Sequence, residues 1–137
     1  MPTQSLKSTV SIAALAAVCL SASIAGAFVP DDLQKIKTTK KCPGCDLRKA
    51  DLRGANLEQA VLEGANLMGA NLEGANLKGA VLDDAALEDS NLKNAVLNGA
   101  SLDHATINGA NFTGASLDST VWLDGKVCGK GSVGTCK

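Results

Sequence analysis

The chain has 137 residues, enough for one domain, and its 13 basic and 14 acidic residues leave a formal charge of −1, which excludes a strongly electrostatic nucleic-acid binder. Two phenylalanines, one tryptophan and no tyrosine would starve an ordinary globular core. Any core must therefore be built mainly from aliphatic side chains, Leu and Ala above all.

Residues 1–27 read as a secretory signal peptide. Lys7 gives a positive start, Val10 to Leu20 an apolar run, and Ala25-Gly26-Ala27 a small-x-small cleavage site. Ser11, Ser21 and Ser23 interrupt the stretch, which is too short for a membrane span. The mature chain is expected to begin at Phe28, exported and free of the membrane. It would reside in a periplasm, or in a thylakoid lumen if the source is photosynthetic.

Residues 28–44 form an N-terminal cap segment. Pro30-Asp31-Asp32 can start a helix, and Leu33 and Ile36 would share one face, available to cover the end of the repeats. Cys42-Pro43-Gly44-Cys45 has Pro and Gly at the central places of a type II turn, which brings its cysteines within about 7 Å. A haem site would need His where Asp46 stands, and zinc would need two more ligands nearby. A redox dithiol would want a βαβ setting, so a structural disulfide is the favoured reading.

From Cys45 to Trp122 one five-residue pattern repeats without insertion. An apolar residue stands at every fifth place (Leu47, Leu52, Leu57, continuing through Ile107, Phe112 and Leu117), with a small residue, usually Ala, two places before it. A leucine every five residues smears round a helix and alternates sides on a strand. Only a chain that turns once per repeat keeps every leucine inward. Gly two places after the leucine, as at Gly54, Gly64 and Gly69, or Asp84, Asp89 and Asn94, supplies that turn. Leu82 is thus an inward place in mid-column, and Asn98 an outward one.

Ala-Asn-Leu-x-Gly in tandem at 65–69, 70–74 and 75–79 resembles the pentapeptide-repeat family. The resemblance implies an all-β fold, a right-handed quadrilateral parallel β-helix of about four coils. Val61, Val81 and Val121 recur at one place with a period of twenty, which supports four repeats per coil. Stacking at that period puts Glu63, Asp83 and Asp103 in an outward column about 4.8 Å apart, with Asp84 and His104 beside it. It also aligns Arg53, Glu73 and Lys93, alternating in sign, and Asn71, Asn91 and Asn111 as a ladder.

Residues 123–137 read as an irregular tail bracketed by Cys128 and Cys136, with turn signals at Asp124-Gly125 and Gly129. A rod of about four coils is roughly 20 Å long. The expected pairing is therefore local, Cys42 with Cys45 and Cys128 with Cys136.

No constellation for acid–base, nucleophilic or phosphate chemistry is present, so the expectation is a non-catalytic exported scaffold with no cofactor and no metal. Its partner would be an unknown protein, not nucleic acid. Between Cys45 and Ser119 eleven acids face five bases, a local charge of −6. The face bearing Val61, Val81 and Val121 beside Glu63, Asp83 and Asp103 is the expected contact surface. The alternatives are a DNA mimic like the gyrase protectors of that family and a periplasmic thiol–disulfide protein using Cys42 and Cys45.

Overall fold

An inward leucine every fifth residue demands one turn per repeat, and the backbone supplies the same turn throughout. The leucine carbonyl accepts the N–H three residues on, as at Leu47–Ala50 (3.1 Å) and Leu62–Ala65 (3.0 Å). The residue two after the leucine takes a positive φ, 61° at Gly54 and 57° at Asp84, as the second central place of a type II turn does. Lys49, Gln59, His104 and Ser119 hold this conformation without being glycine, at a cost on the order of 1 kcal/mol each.

The computed structural model describes residues 29–137; the expected signal peptide lies outside the described residues. Four corners return the chain over itself after twenty residues. Single-residue parallel bridges join Lys41 to Val61, Val61 to Val81, Val81 to Ser101 and Ser101 to Val121, and the other three sides keep the same offset. From Leu47 to Leu102 each inward leucine N–H donates across that ladder, Leu72 to the Asn91 carbonyl at 2.7 Å and Leu82 to that of Ser101 at 2.8 Å.

The column inside is nearly dry. Every fifth residue from Leu47 to Leu102 is at most 1% exposed. Ser90 and Thr120, which replace Ala in the small inward slot, turn their hydroxyls to the carbonyls of Leu87 and Leu97, both at 2.7 Å. Only the last coil loosens. Ile107 and Trp122 are half-buried, and Trp122 meets Phe112 edge to face with ring centres 5.4 Å apart.

Helix α1, Pro30–Thr39, closes the first end. Pro30 opens the helix and Asp31 and Asp32 sit in its first turn, where its dipole favours them. Ile36 is fully buried and Leu33 packs beside it. The helix is pinned at its start: Val29 N–H donates to the Asp46 carbonyl at 3.0 Å, and Asp46 N–H donates to Asp32 Oδ2 at 2.9 Å. The ladder itself begins at Lys41, ahead of the boundary expected at Cys45. Cys42 stands five before Leu47 and fills the leucine place, so Cys42 N–H already donates to the Val61 carbonyl at 2.8 Å.

The other end corrects the expectation of an irregular tail. Residues beyond Asp124 fold back and pair antiparallel with the last coil, Val127 with Val121 and Val133 with Ser116. Leu117 N–H donates to the Ser132 carbonyl (2.9 Å), Ser119 N–H to that of Cys128 (3.0 Å), and Gly134 N–H to that of Ala115 (2.8 Å). Asp118 Oδ1 accepts from the N–H groups of Gly131 and Ser132 at 2.7 and 3.1 Å. Left uncovered, those edge groups would template pairing with another chain. Both ends of the solenoid are therefore capped, one by a helix and one by a strand-like strap.

Candidate functional site

With its ends covered, the molecule offers its four sides. Their chemistry is set by the place just before each leucine and the place just after it. Where the first is Asn or Asp, its side-chain oxygen accepts the N–H two residues on, as from Glu73 to Asn71 Oδ1 (3.1 Å) and Lys78 to Asn76 Oδ1 (3.1 Å). This N–H is not used by the ladder, so Asn at that place satisfies a donor that would otherwise need water.

Where that place holds Ser or Thr, the bonding partner shifts to the coil below. Ser101 donates its hydroxyl to Asp83 Oδ1, Thr106 to Glu88 Oε1 (2.7 Å) and Ser116 to Asn98 Oδ1 (2.5 Å). All three pairs lie eighteen residues apart. Asp83 Oδ1 also accepts Asp103 N–H, and Asn98 Oδ1 accepts Asp118 N–H, both at 3.2 Å. A hydroxyl matched with an acid or amide eighteen residues earlier was a readable sequence signal that simple column-stacking overlooks.

Two carboxylates are instead claimed within their own repeat. Arg48 forks onto Asp46 at 2.8 and 2.6 Å, and Arg53 onto Asp51 at 2.9 and 2.7 Å. Hydrogen bonds from Arg53 hold Asp51 down at about 2, and Arg48 lowers Asp46 in the same way. A depressed folded value adds stability above the ordinary carboxylate range, and that gain is lost as pH falls through about 2 for Asp51. Asp51 and Arg53 are both exposed, so the gain from that pair is small. We expect a carboxyl NMR titration to place Asp51 at about 2, and Arg53→Gln to return it toward the ordinary carboxylate range. An unmoved Asp51 midpoint in that variant would refute the pairing. Arg53 thus serves Asp51 more directly than it serves the column with Glu73 and Lys93. Of the asparagine ladder, Asn91 Nδ2 donates to Asn71 Oδ1 at 3.2 Å and also to Glu73 Oε2 at 3.2 Å.

Val61, Val81 and Val121 are half-buried on one side, bridged through Ser101. The strap adds Val127 beside Val121, and that side chain is 60% exposed. An antiparallel pair sends both side chains to the same face, so the valine row is lengthened at its far end. Glu63 flanks the row exposed, and Asp83 is engaged by Ser101. Asp103 faces His104 Nδ1 through Oδ2 at 3.1 Å, while its Oδ1 is shut from solvent without a donor.

The cysteines lie elsewhere. Cys42 and Cys45 are joined as a disulfide with Cα atoms 5.3 Å apart, and Cys128 and Cys136 likewise at 4.9 Å. Asp32 brings a carboxylate within 4.8 Å of the first pair, but bonded sulfurs offer no thiolate to a metal. Cys42 and Cys45 are only 0% and 4% exposed.

One feature escaped sequence reasoning. A groove of about 320 Å³ runs along a corner away from the valine row, lined by Arg48, Lys49, Met68, Gly69, Glu88 and Asp89. Among the described residues no helix is long and apolar enough to cross a membrane.

Residues 45–84 and 80–118 each match the family model described as "Pentapeptide repeats (8 copies)". No curated protein matches the chain by sequence. Among solved structures, it is similar to a pentapeptide repeat protein of the cyanobacterium Cyanothece 51142 at 27% identity and TM-score 0.54, over 77% of this chain and 98% of that one. It is similar to another from Nostoc Pcc 7120 at 30% identity and TM-score 0.53, over 67% and 82%. A pentapeptide repeat protein of the Arabidopsis thaliana thylakoid lumen aligns at 30% identity over 70% and 79%, with a TM-score of 0.33. Uninterrupted corners, a twenty-residue ladder and a family match over more than half its length make this chain a member of the pentapeptide-repeat family.

Proposed function

We propose that the protein is an exported, non-catalytic scaffold that binds a protein partner through its valine side. The observation that carries this reading is the row Val61, Val81, Val121 and Val127 edged by Glu63, Asp83 and Asp103, on a solenoid whose ends are already covered. Apolar area bordered by one sign of charge combines burial with complementarity, and it favours a partner with a basic rim. Export draws support from the leader pattern at 1–27 and from cysteines joined in local pairs, as an oxidising compartment favours.

The two alternatives draw no support. Thiol–disulfide exchange needs an accessible sulfur, and Cys42 and Cys45 lie beneath α1. A DNA mimic needs acids along a duplex-like length, whereas Glu63, Asp83 and Asp103 span two coil spacings, about 10 Å.

Changing Val61 and Val81 together to Asn tests the reading without damaging the fold. An Asn at those places can accept the N–H of residues 63 and 83, as Asn71 does for Glu73. Stability should stay within about 1 kcal/mol of the parent. Crosslinking in the native envelope should lose the partner that the parent captures. Full retention of that partner by the double variant would overturn the assignment to this face.

A further inference from the structure

The strap covers the last coil on only part of its circuit. In each complete coil a leucine N–H and the carbonyl two residues before it both point to the next coil, and one residue there meets both. Asn66 N–H donates to the Cys45 carbonyl and Leu47 N–H to that of Asn66, each at 2.8 Å. The strap bonds to the sides 115–119 and 120–124. Along 105–109 and 110–114 the N–H groups of Ile107 and Phe112 and the carbonyls of Ala105 and Ala110 have no partner among the described residues. Edge groups left in this state are a template for another strand.

The strap carries a matching set. Val127 and Val133 stand opposite Val121 and Ser116 in antiparallel pairs whose hydrogen bonds are made by their neighbours, Lys126 and Cys128 for the first, Ser132 and Gly134 for the second. The N–H and carbonyl of each valine therefore point away from the molecule's own coil, and they too lack a partner among the described residues. These valines are also its most open large apolar side chains, at 60% and 56%. Residues 105–117 carry no charged side chain, the longest such run in the repeats, and charge is depleted at the centre of interfaces.

We propose that a second copy of this chain docks end to end, each strap lying on the ledge that the other copy leaves open. A twofold axis through opposite corners of the coil exchanges the two strapped sides with the two open ones. The strap runs against its own coil, and inverting the copy reverses it. It therefore meets the other copy's coil in parallel sense, as successive coils meet. Val127 N–H then donates to the other copy's Ala105 carbonyl and accepts from its Ile107 N–H through its own carbonyl. Val133 does the same between Ala110 and Phe112. Spacing and order agree as well. The strap already spans bridge points five residues apart on its own coil, 116 and 121, and 106 and 111 have that separation. Val127 precedes Val133 as Thr106 precedes Asn111. The shared layer is one coil, half from each molecule, and the twofold closes the assembly at two. The contact uses the backbone of Val127 and does not rest on the reading given above.

The test uses the oxidised chain as recovered from its host. Sedimentation from about 10 μM to 1 mM should show a monomer–dimer equilibrium that stops at two. As dimer forms, the amides of Ile107 and Phe112 should exchange about tenfold more slowly or better, while those of Leu117, Ser119 and Gly134, bonded to the molecule's own strap, stay unchanged. In a mixture of differently labelled copies an intermolecular NOE should join the methyls of Thr106 and Val127. Val127→Pro with Val133→Pro removes two N–H donors that the copy's own fold does not use, a change that an edge strand tolerates. It should weaken the dimer about tenfold or more with the Leu117 and Ser119 amides still protected. If that variant loses its strap, the exchange and NOE measurements on the parent decide alone. Val61→Asn/Val81→Asn should dimerise like the parent, which separates this contact from the valine face. A parent that stays monomeric, a dimer whose Ile107 and Phe112 amides exchange as fast as the monomer's, a dimer without the Thr106–Val127 NOE, or an intact-strap proline variant that pairs as tightly as the parent would overturn the proposal.

Discussion

Leu82→Asp is expected to unfold the solenoid, with a loss of more than about 4 kcal/mol, because it drives a carboxylate into a column with no donor to meet it. Leu82 is 0% exposed, and its stacking neighbours Leu62 and Leu102 are equally dry. In a repeat rod each coil is stabilised by the coils above and below it, so a break in the middle leaves two halves, each with one unsupported face. Asn98→Asp is the matched control. It keeps an oxygen for the Ser116 hydroxyl and the Asp118 N–H and should cost under about 1 kcal/mol. Thermal unfolding of the two variants checks the contrast; similar shifts would mean that the inward and outward places had been confused.

That contrast rests on what the sequence alone makes legible. A leucine at every fifth place admits no helix and no flat strand, so the inward column and its small-residue partner follow from counting. Even the exceptions obey it, since Ser90 and Thr120 fit the slot by returning their hydroxyls to nearby carbonyls. The outward places were less readable. Asn98 looks idle in the repeat, yet it holds the coil above it through two hydrogen bonds, because Ser116 there lacks the oxygen that an asparagine would have aimed at Asp118 N–H. Stacking alone reads Glu63, Asp83 and Asp103 as an outward acidic column, but Asp83 is engaged by a hydroxyl and an N–H from the next coil. The groove was invisible for a different reason: it is made by the one missing side chain at Gly69 between two charged corners, and a repeat consensus treats glycine there as a turn residue only. The tail was the least legible part. Its pairing joins residues 127 and 133 to 121 and 116 in antiparallel sense, and no periodicity encodes that fold-back.

The strap therefore carries the second large expectation. Replacing Cys128 and Cys136 by Ser should cost about 2 kcal/mol or more, since the strap has little core of its own and the crosslink limits its freedom when detached. Cys128 and Ser132 are its buried points, while Val127 and Val133 remain exposed. Hydrogen exchange should speed at the amides of Leu117, Ser119 and Gly134, which donate across the strap seam. The amides of Leu62 and Leu72 in the middle coils should hold. Freed of the strap, the last coil presents an unpaired edge beside half-buried Ile107 and Trp122, and edges of that kind recruit other chains. Sedimentation of the double variant should accordingly show open-ended association that grows with concentration and is absent from the oxidised parent. If the seam amides stay protected and the variant stays monodisperse, the antiparallel hydrogen bonds and the Asp118 contacts hold the strap without the disulfide. The open end would then be guarded by backbone pairing, and its protection would persist in a reducing compartment.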